Sequence, residues 1–147
     1  MTLQRRLRGS SLISQTEKCF IAAQLIALVG EMHRSGICHI NLMPDNIYLS
    51  HGWKVRLRQF ASDLSQTEPF RISLVNGVQD MYNMFQKSYI APEQLIFHLS
   101  ESTQERTTFR QWQNVDQFGL GCLLVELFNE GRHLFTFQSL SDYVDYS

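Results

Sequence analysis

Residues 38–46 read Cys38-His39-Ile40-Asn41-Leu42-Met43-Pro44-Asp45-Asn46, and their neighbours decide the fold. Upstream, Ser14-Gln15-Thr16-Glu17 has the spacing of a capping box, in which a hydroxyl and a carboxylate satisfy the free amides of a helix start. Phe20, Ile21, Leu25, Leu28, Val29 and Met32 then recur at three- and four-residue intervals, which predicts a helix with one buried face. Gly36 is its expected stop. Downstream, Ile47-Tyr48-Leu49 reads as a short strand and Ser50-His51-Gly52 as a turn. Trp53, Val55 and Leu57 then alternate with Lys54, Arg56 and Arg58, as in a strand buried on one side. The nine residues therefore form a loop between a long helix and a small hairpin.

Farther out the signals thin. Residues 62–88 are polar, include Gly77, and read as a long loop closed by Tyr89-Ile90-Ala91-Pro92-Glu93. Residues 97–113, rich in Ser, Thr, Gln and Glu, predict little order. Asn114 is the expected cap of a second helix, with Val115, Phe118, Cys122, Val125 and Phe128 on its apolar side and Gly131 as its stop. Residues 1–13, with Arg5, Arg6 and Arg8, read as an irregular, solvated basic leader.

Composition narrows the class. The chain has 147 residues, 44% of them hydrophobic and 18% charged, which suits one globular domain or part of one. A net charge of −1 gives no general attraction to nucleic acid. Cys19, Cys38 and Cys122 are odd in number and far apart, with no C-x-x-C pair to suggest zinc. Cys19 and Cys122 are expected as buried thiols on helices. No apolar run approaches the roughly 18 residues of a membrane span. The opening Met-Thr-Leu-Gln-Arg-Arg is not a secretory signal, and Thr2 stands where N-myristoylation requires glycine. The expectation is an intracellular, cytoplasmic chain.

The 38–46 loop resembles the protein-kinase catalytic loop His-Arg-Asp-Leu-Lys-Pro-Glu-Asn. His39, Leu42, Pro44 and Asn46 match. Asn41 stands at the general-base Asp and Met43 at the Lys. Gln59-Phe60-Ala61 follows at the interval of the kinase Asp-Phe-Gly, keeping Phe60 alone. Ala91-Pro92-Glu93 is the kinase Ala-Pro-Glu, and Asp116 through Gly121 resembles the Asp-x-x-x-x-Gly start of the central helix. Within the kinases the chain is most similar to the kinase-like domain of the regulatory subunit of class III phosphatidylinositol 3-kinase, through Phe60-Ala61-Ser62, Tyr89 to Glu93, and Gly121 to Gly131.

The resemblance implies a mainly α fold with a small β-hairpin, a kinase C-terminal lobe over residues 14–147 without an N-terminal lobe. It implies structural roles for His39 and Phe60 in an internal spine. Asp116 would hold the loop backbone, and Glu93 would pair with an Arg, either Arg132 or one outside the chain. Tyr48 would lie near the adenine floor.

The chemistry implied by the same alignment is deficient. Asn41 cannot accept a proton near neutral pH, and loss of a general base costs a factor of ~10²–10⁴. Gln59 offers magnesium a neutral oxygen where the ion favours an anionic one. Met43 removes a cation from the transferred phosphate. Asn46 alone remains of the metal ligands, and one amide makes no magnesium site, so neither metal nor cofactor is expected. The reading is a catalytically inert regulatory or scaffold element. Its partner would be the class III lipid kinase catalytic subunit, which would bring it peripherally to endosomal membranes in sorting and autophagy, with residues 59–93 as the contact. The rival is a serine/threonine protein kinase whose N-lobe lies elsewhere, using ATP and magnesium with Asp45 or Asp63 as substitute ligands. An unrelated helical module is the third reading.

Overall fold

The computed structural model describes residues 1–9, 12–58, 89–94, 108–136, 138–140 and 142. Their elements are helix α1 (Leu3–Leu7), helix α2 (Gln15–Arg34), strand β1 (Ile47–Leu49), strand β2 (Val55–Leu57) and helix α3 (Phe109–Phe128). Short 3-10 turns at Pro44–Asn46 and His51–Trp53 flank β1.

Helix α2 begins as its sequence dictates. The Glu17 amide donates to the Ser14 hydroxyl, and the Ser14 amide donates to the Glu17 carboxylate. Those bonds hold the Glu17 carboxyl below its ordinary range. The helix ends in a Schellman motif. Gly36 takes φ of 74°, its amide donates to the His33 carbonyl, and the Ile37 amide reaches back to the Met32 carbonyl. Ile21, Ala22, Leu25 and Val29 form the buried face. Phe20 lies off that face and is half exposed, as Ile26 is. Cys19 is likewise exposed, whereas Cys122 is buried as expected.

β1 and β2 pair antiparallel with Ile47 opposite Leu57, Tyr48 opposite Arg56 and Leu49 opposite Val55. Trp53 is not part of β2. It closes the turn at φ of 60°, half-buried, under the Arg6 guanidinium, which lies 5.2 Å from its ring centre. Gln24 of α2 ties the hairpin down. Its side chain donates to the Trp53 carbonyl and accepts from the Val55 amide.

The first residues are not a solvated leader. Thr2 caps α1 through its hydroxyl and bridges to Tyr48. Met1 exchanges two hydrogen bonds with Leu49. Leu3 is wholly buried in the main core with Ile21, Leu25, Ile47 and Leu123. Arg6 is buried too and donates to the Leu12 carbonyl. The apolar contribution of Leu3, with Leu7 packed against the same core, is too short to register as periodicity and outweighs the pull of the charges.

The cap of helix α3 is Thr108, six residues before Asn114. Thr108 and Gln111 form its capping box, and Trp112 on the added turn is buried with Val115 against Ala91. At its other end Glu130 takes the left-handed conformation at φ of 55° and Gly131, the expected stop, follows it at φ of 82°, with the Gly131 amide donating to the Glu126 carbonyl. Phe128, expected on the apolar side, is exposed. Glu126 is buried and meets His133 Nδ1 at 3.4 Å. Cys122, Leu123 and Leu127 complete the main core.

Candidate functional site

The 38–46 loop hangs on one carboxylate. Asp116 comes from the second turn of α3 and is almost wholly buried. Its Oδ2 accepts from the His39 amide at 2.7 Å and its Oδ1 from the Ile40 amide at 2.6 Å. Oδ2 also accepts from His33 Nε2 of α2 at 3.0 Å. Bonds from neutral donors to a buried charge are short and strong, so Asp116 fixes the loop to both long helices. Ile40 sits at φ of 67°, a conformation that costs a β-branched residue about 1–3 kcal/mol. The Asp116 bonds to the two adjoining amides hold that shape.

Inside the loop His39 is fully buried, and its Nδ1 accepts from the Asn41 amide. Burial holds the imidazole below its usual titration range, against the opposing pull of the Asp116 charge and the Arg58 backbone. Asn46 is buried and donates from Nδ2 to the Asn41 carbonyl at 2.8 Å. That bond closes the loop across the turn begun by Pro44. Leu42 packs beneath, where Gly119 lets α3 approach: a Cβ at Gly119 would stand 3.2 Å from both the Leu42 Cβ and its carbonyl oxygen.

The structure thus brings together His39, Asn41, Met43, Asn46 and Asp116, expected from sequence as one constellation. Asn41 and Met43 are half-buried and line a small cavity of about 30 Å³ beside Tyr89, Ile90 and Gln94. That volume is room for a water-sized group. The Tyr89 hydroxyl is buried without a hydrogen-bond partner among the described residues. Ala91 is fully buried, and the Gln94 side chain accepts from its amide at 2.9 Å. Pro92 and Glu93 lie in the short helical turn at 92–94, half-buried. Among the described residues Glu93 makes no ion pair with Arg132. Gln59, Phe60, Ala61 and Asp63 lie outside the described residues, as does most of the 59–93 segment.

Tyr48 projects from β1 with the Arg58 guanidinium 4.6 Å above its ring centre, so the residue just past β2 covers the aromatic face. One grouping escaped the sequence altogether. His33, Cys38 and Asp116 place a ring nitrogen, a sulfur and a carboxylate oxygen within 4.8 Å of one another. Burial, with Asp116 nearby, pushes the Cys38 thiol up to about 12. Asp116 lies 83 residues from His33, and only the packing of α3 on α2 unites them.

Comparison with known proteins gives the same family likeness as the motifs. No family model matches. A serine/threonine-protein kinase VPS15 of Arabidopsis thaliana is 30% identical over 96% of this chain and 9% of its own length. VPS15 of Saccharomyces cerevisiae is 28% identical over 96% of this chain and 10% of its own. A Dictyostelium discoideum protein named "Probable inactive serine/threonine-protein kinase" is 26% identical over 74% of this chain and 13% of its own. This chain is kinase-like and similar to VPS15 along nearly its whole length. It spans about a tenth of the VPS15 relatives it matches. Among the described residues helices predominate beside one two-stranded antiparallel sheet, and no described helix is long and apolar enough to cross a membrane.

Proposed function

From a likeness to VPS15 kinases that runs the length of the chain, we propose that residues 14–147 are part of a kinase-like C-terminal lobe, catalytically inert and used as a regulatory scaffold. The observation that carries this reading is a loop held in full by Asp116, His39 and Asn46 while its chemical positions hold Asn41 and Met43. Such a frame presents a fixed surface. It lacks the carboxylate that would take a hydroxyl proton and the ammonium that would neutralise a phosphoryl group. Asn46, with its amide nitrogen committed to the Asn41 carbonyl, has only its oxygen left to offer, and a lone neutral oxygen is a poor magnesium ligand.

The partner that follows from the resemblance is the catalytic subunit of a class III phosphatidylinositol 3-kinase, with the 59–93 segment as the contact. Association with that enzyme would set the chain peripherally on endosomal membranes, in sorting and autophagy. Affinity purification of the protein from its own cells tests this: the lipid kinase subunit should co-purify. Its repeated absence at matched expression overturns the assignment.

The relatives' printed names as serine/threonine kinases favour a second reading, an ATP-dependent phosphotransferase completed by sequence beyond this stretch. The two part in a thermal melt with magnesium and ATP. A flat response accords with the scaffold, and a saturable rise in Tm that requires magnesium accords with the kinase.

A further inference from the structure

We propose that His33, Cys38 and Asp116 form a binding site for a borderline-soft divalent cation of the zinc class. Three separate segments deliver the donors: the last turn of α2, the chain just past its Gly36 stop, and the second turn of α3. The ligating atoms lie within 4.8 Å of one another. Tetrahedral zinc with nitrogen, oxygen and sulfur bonds of roughly 2.0–2.3 Å sets ligand atoms about 3.2–3.8 Å apart. Closing the present cluster onto an ion therefore asks for a movement of roughly 1 Å, within reach of a half-buried cysteine's rotation about χ1.

The donor set chooses the ion. One sulfur and one imidazole suit zinc, whereas magnesium and calcium favour oxygen throughout. The carboxylate is already oriented, because the amides of His39 and Ile40 bind its two oxygens. Supporting bonds of that kind set the geometry of ligands at metal sites. On binding, the Cys38 S–H bond breaks, a sulfur–metal bond forms and one proton leaves to solvent; the His33 Nε2–Asp116 hydrogen bond gives way to the ion, and the ring proton passes through solvent to Nδ1, which frees the Nε2 lone pair. A thiolate and a carboxylate around a 2+ ion then make a neutral cluster in a largely buried place, with neutral imidazole as the third donor. His33 and Cys38 are partly exposed, which gives the ion an entry path. Three protein ligands leave a fourth position for water. The ion would pin α2, the loop and α3 together whichever function the loop serves.

The chelator-treated full chain, titrated with cobalt(II), provides the test. A thiolate-to-cobalt charge-transfer band and tetrahedral d–d bands should grow to one equivalent and vanish on adding zinc. Zinc alone should raise Tm by several degrees. Cys38→Ser and His33→Gln, checked for fold by circular dichroism, should lose both effects, while Cys19→Ser, altering an exposed thiol on the outside of α2, should retain them. Absence of the charge-transfer band in the unaltered chain overturns the proposal. So does a band that survives Cys38→Ser and disappears with Cys19→Ser.

Discussion

At the scale of single residues, Asp116 matters most. Truncation in Asp116→Ala leaves the buried amide of His39 and the half-buried amide of Ile40 without acceptors, and an orphaned buried donor costs about 1–3 kcal/mol. Denaturant unfolding should show a loss of about 2–4 kcal/mol, most of it from the His39 donor. Asp116→Asn should cost nearly as much, because one of its two terminal atoms then donates where an amide already points at it. His39 carries a pH dependence. Burial lowers its folded pKa beneath the ordinary 6.5, so the unfolded chain takes up a proton that the folded chain resists. Stability complete above about pH 6.5 is lost as pH falls toward the lowered folded value. The denaturant midpoint should drop more between about pH 7 and pH 5 in the parent chain than in His39→Gln. Asp116 was legible from its place in a motif, and so was its role. The convergence of His33 and Cys38 upon it was not, because no local periodicity encodes contact between segments that far apart.

Among the elements, α2 was readable and α3 only in part. The pair Thr108 and Gln111 has the capping-box spacing as plainly as Ser14 and Glu17 do. It was hidden because polar residues before it suggested a loop and Asn114 offered a rival cap six residues on. Burial of Trp112 decides between the two starts, and burial is a tertiary fact. Phe128 and Phe20 were misplaced for the same reason: both helices turn small or polar positions inward, Gly119 and Glu126 in α3, Ala22 and Lys18 in α2. The glycines of α3 supply a controlled comparison. A Cβ at Gly121 meets nothing within 4 Å, so Gly121→Ala should stabilise by about 1 kcal/mol through helix propensity alone. Gly119→Ala has the same propensity gain but presses on the Leu42 backbone, a contact that overpacking data put at about 1–3 kcal/mol. Its net effect should be destabilising, and paired thermal melts will rank the two variants.

For the molecule as a whole, the helix–loop–hairpin order and a helix-rich fold could be read in advance, while the place of residues 1–9 could not. Leu3 contributes a fully buried side chain to a core drawn from every described helix and strand, and Leu3→Ala should cost about 2–5 kcal/mol by urea denaturation. Arg5→Ala, at an exposed position on the same short helix, should change stability by less than about 0.5 kcal/mol. A truly solvated leader would make the two substitutions equivalent. Met1 and Leu49 trade bonds in both directions, as residues of neighbouring antiparallel strands do. Thr2 faces Tyr48, so any residue joined ahead of Met1 is set opposite Ser50 and onward along the turn. A purification handle spliced at that end would therefore start as a third ribbon beside the exit of β1 at Ser50, away from Tyr48 and Arg58. One fused after Ser147 would avoid imposing that pairing.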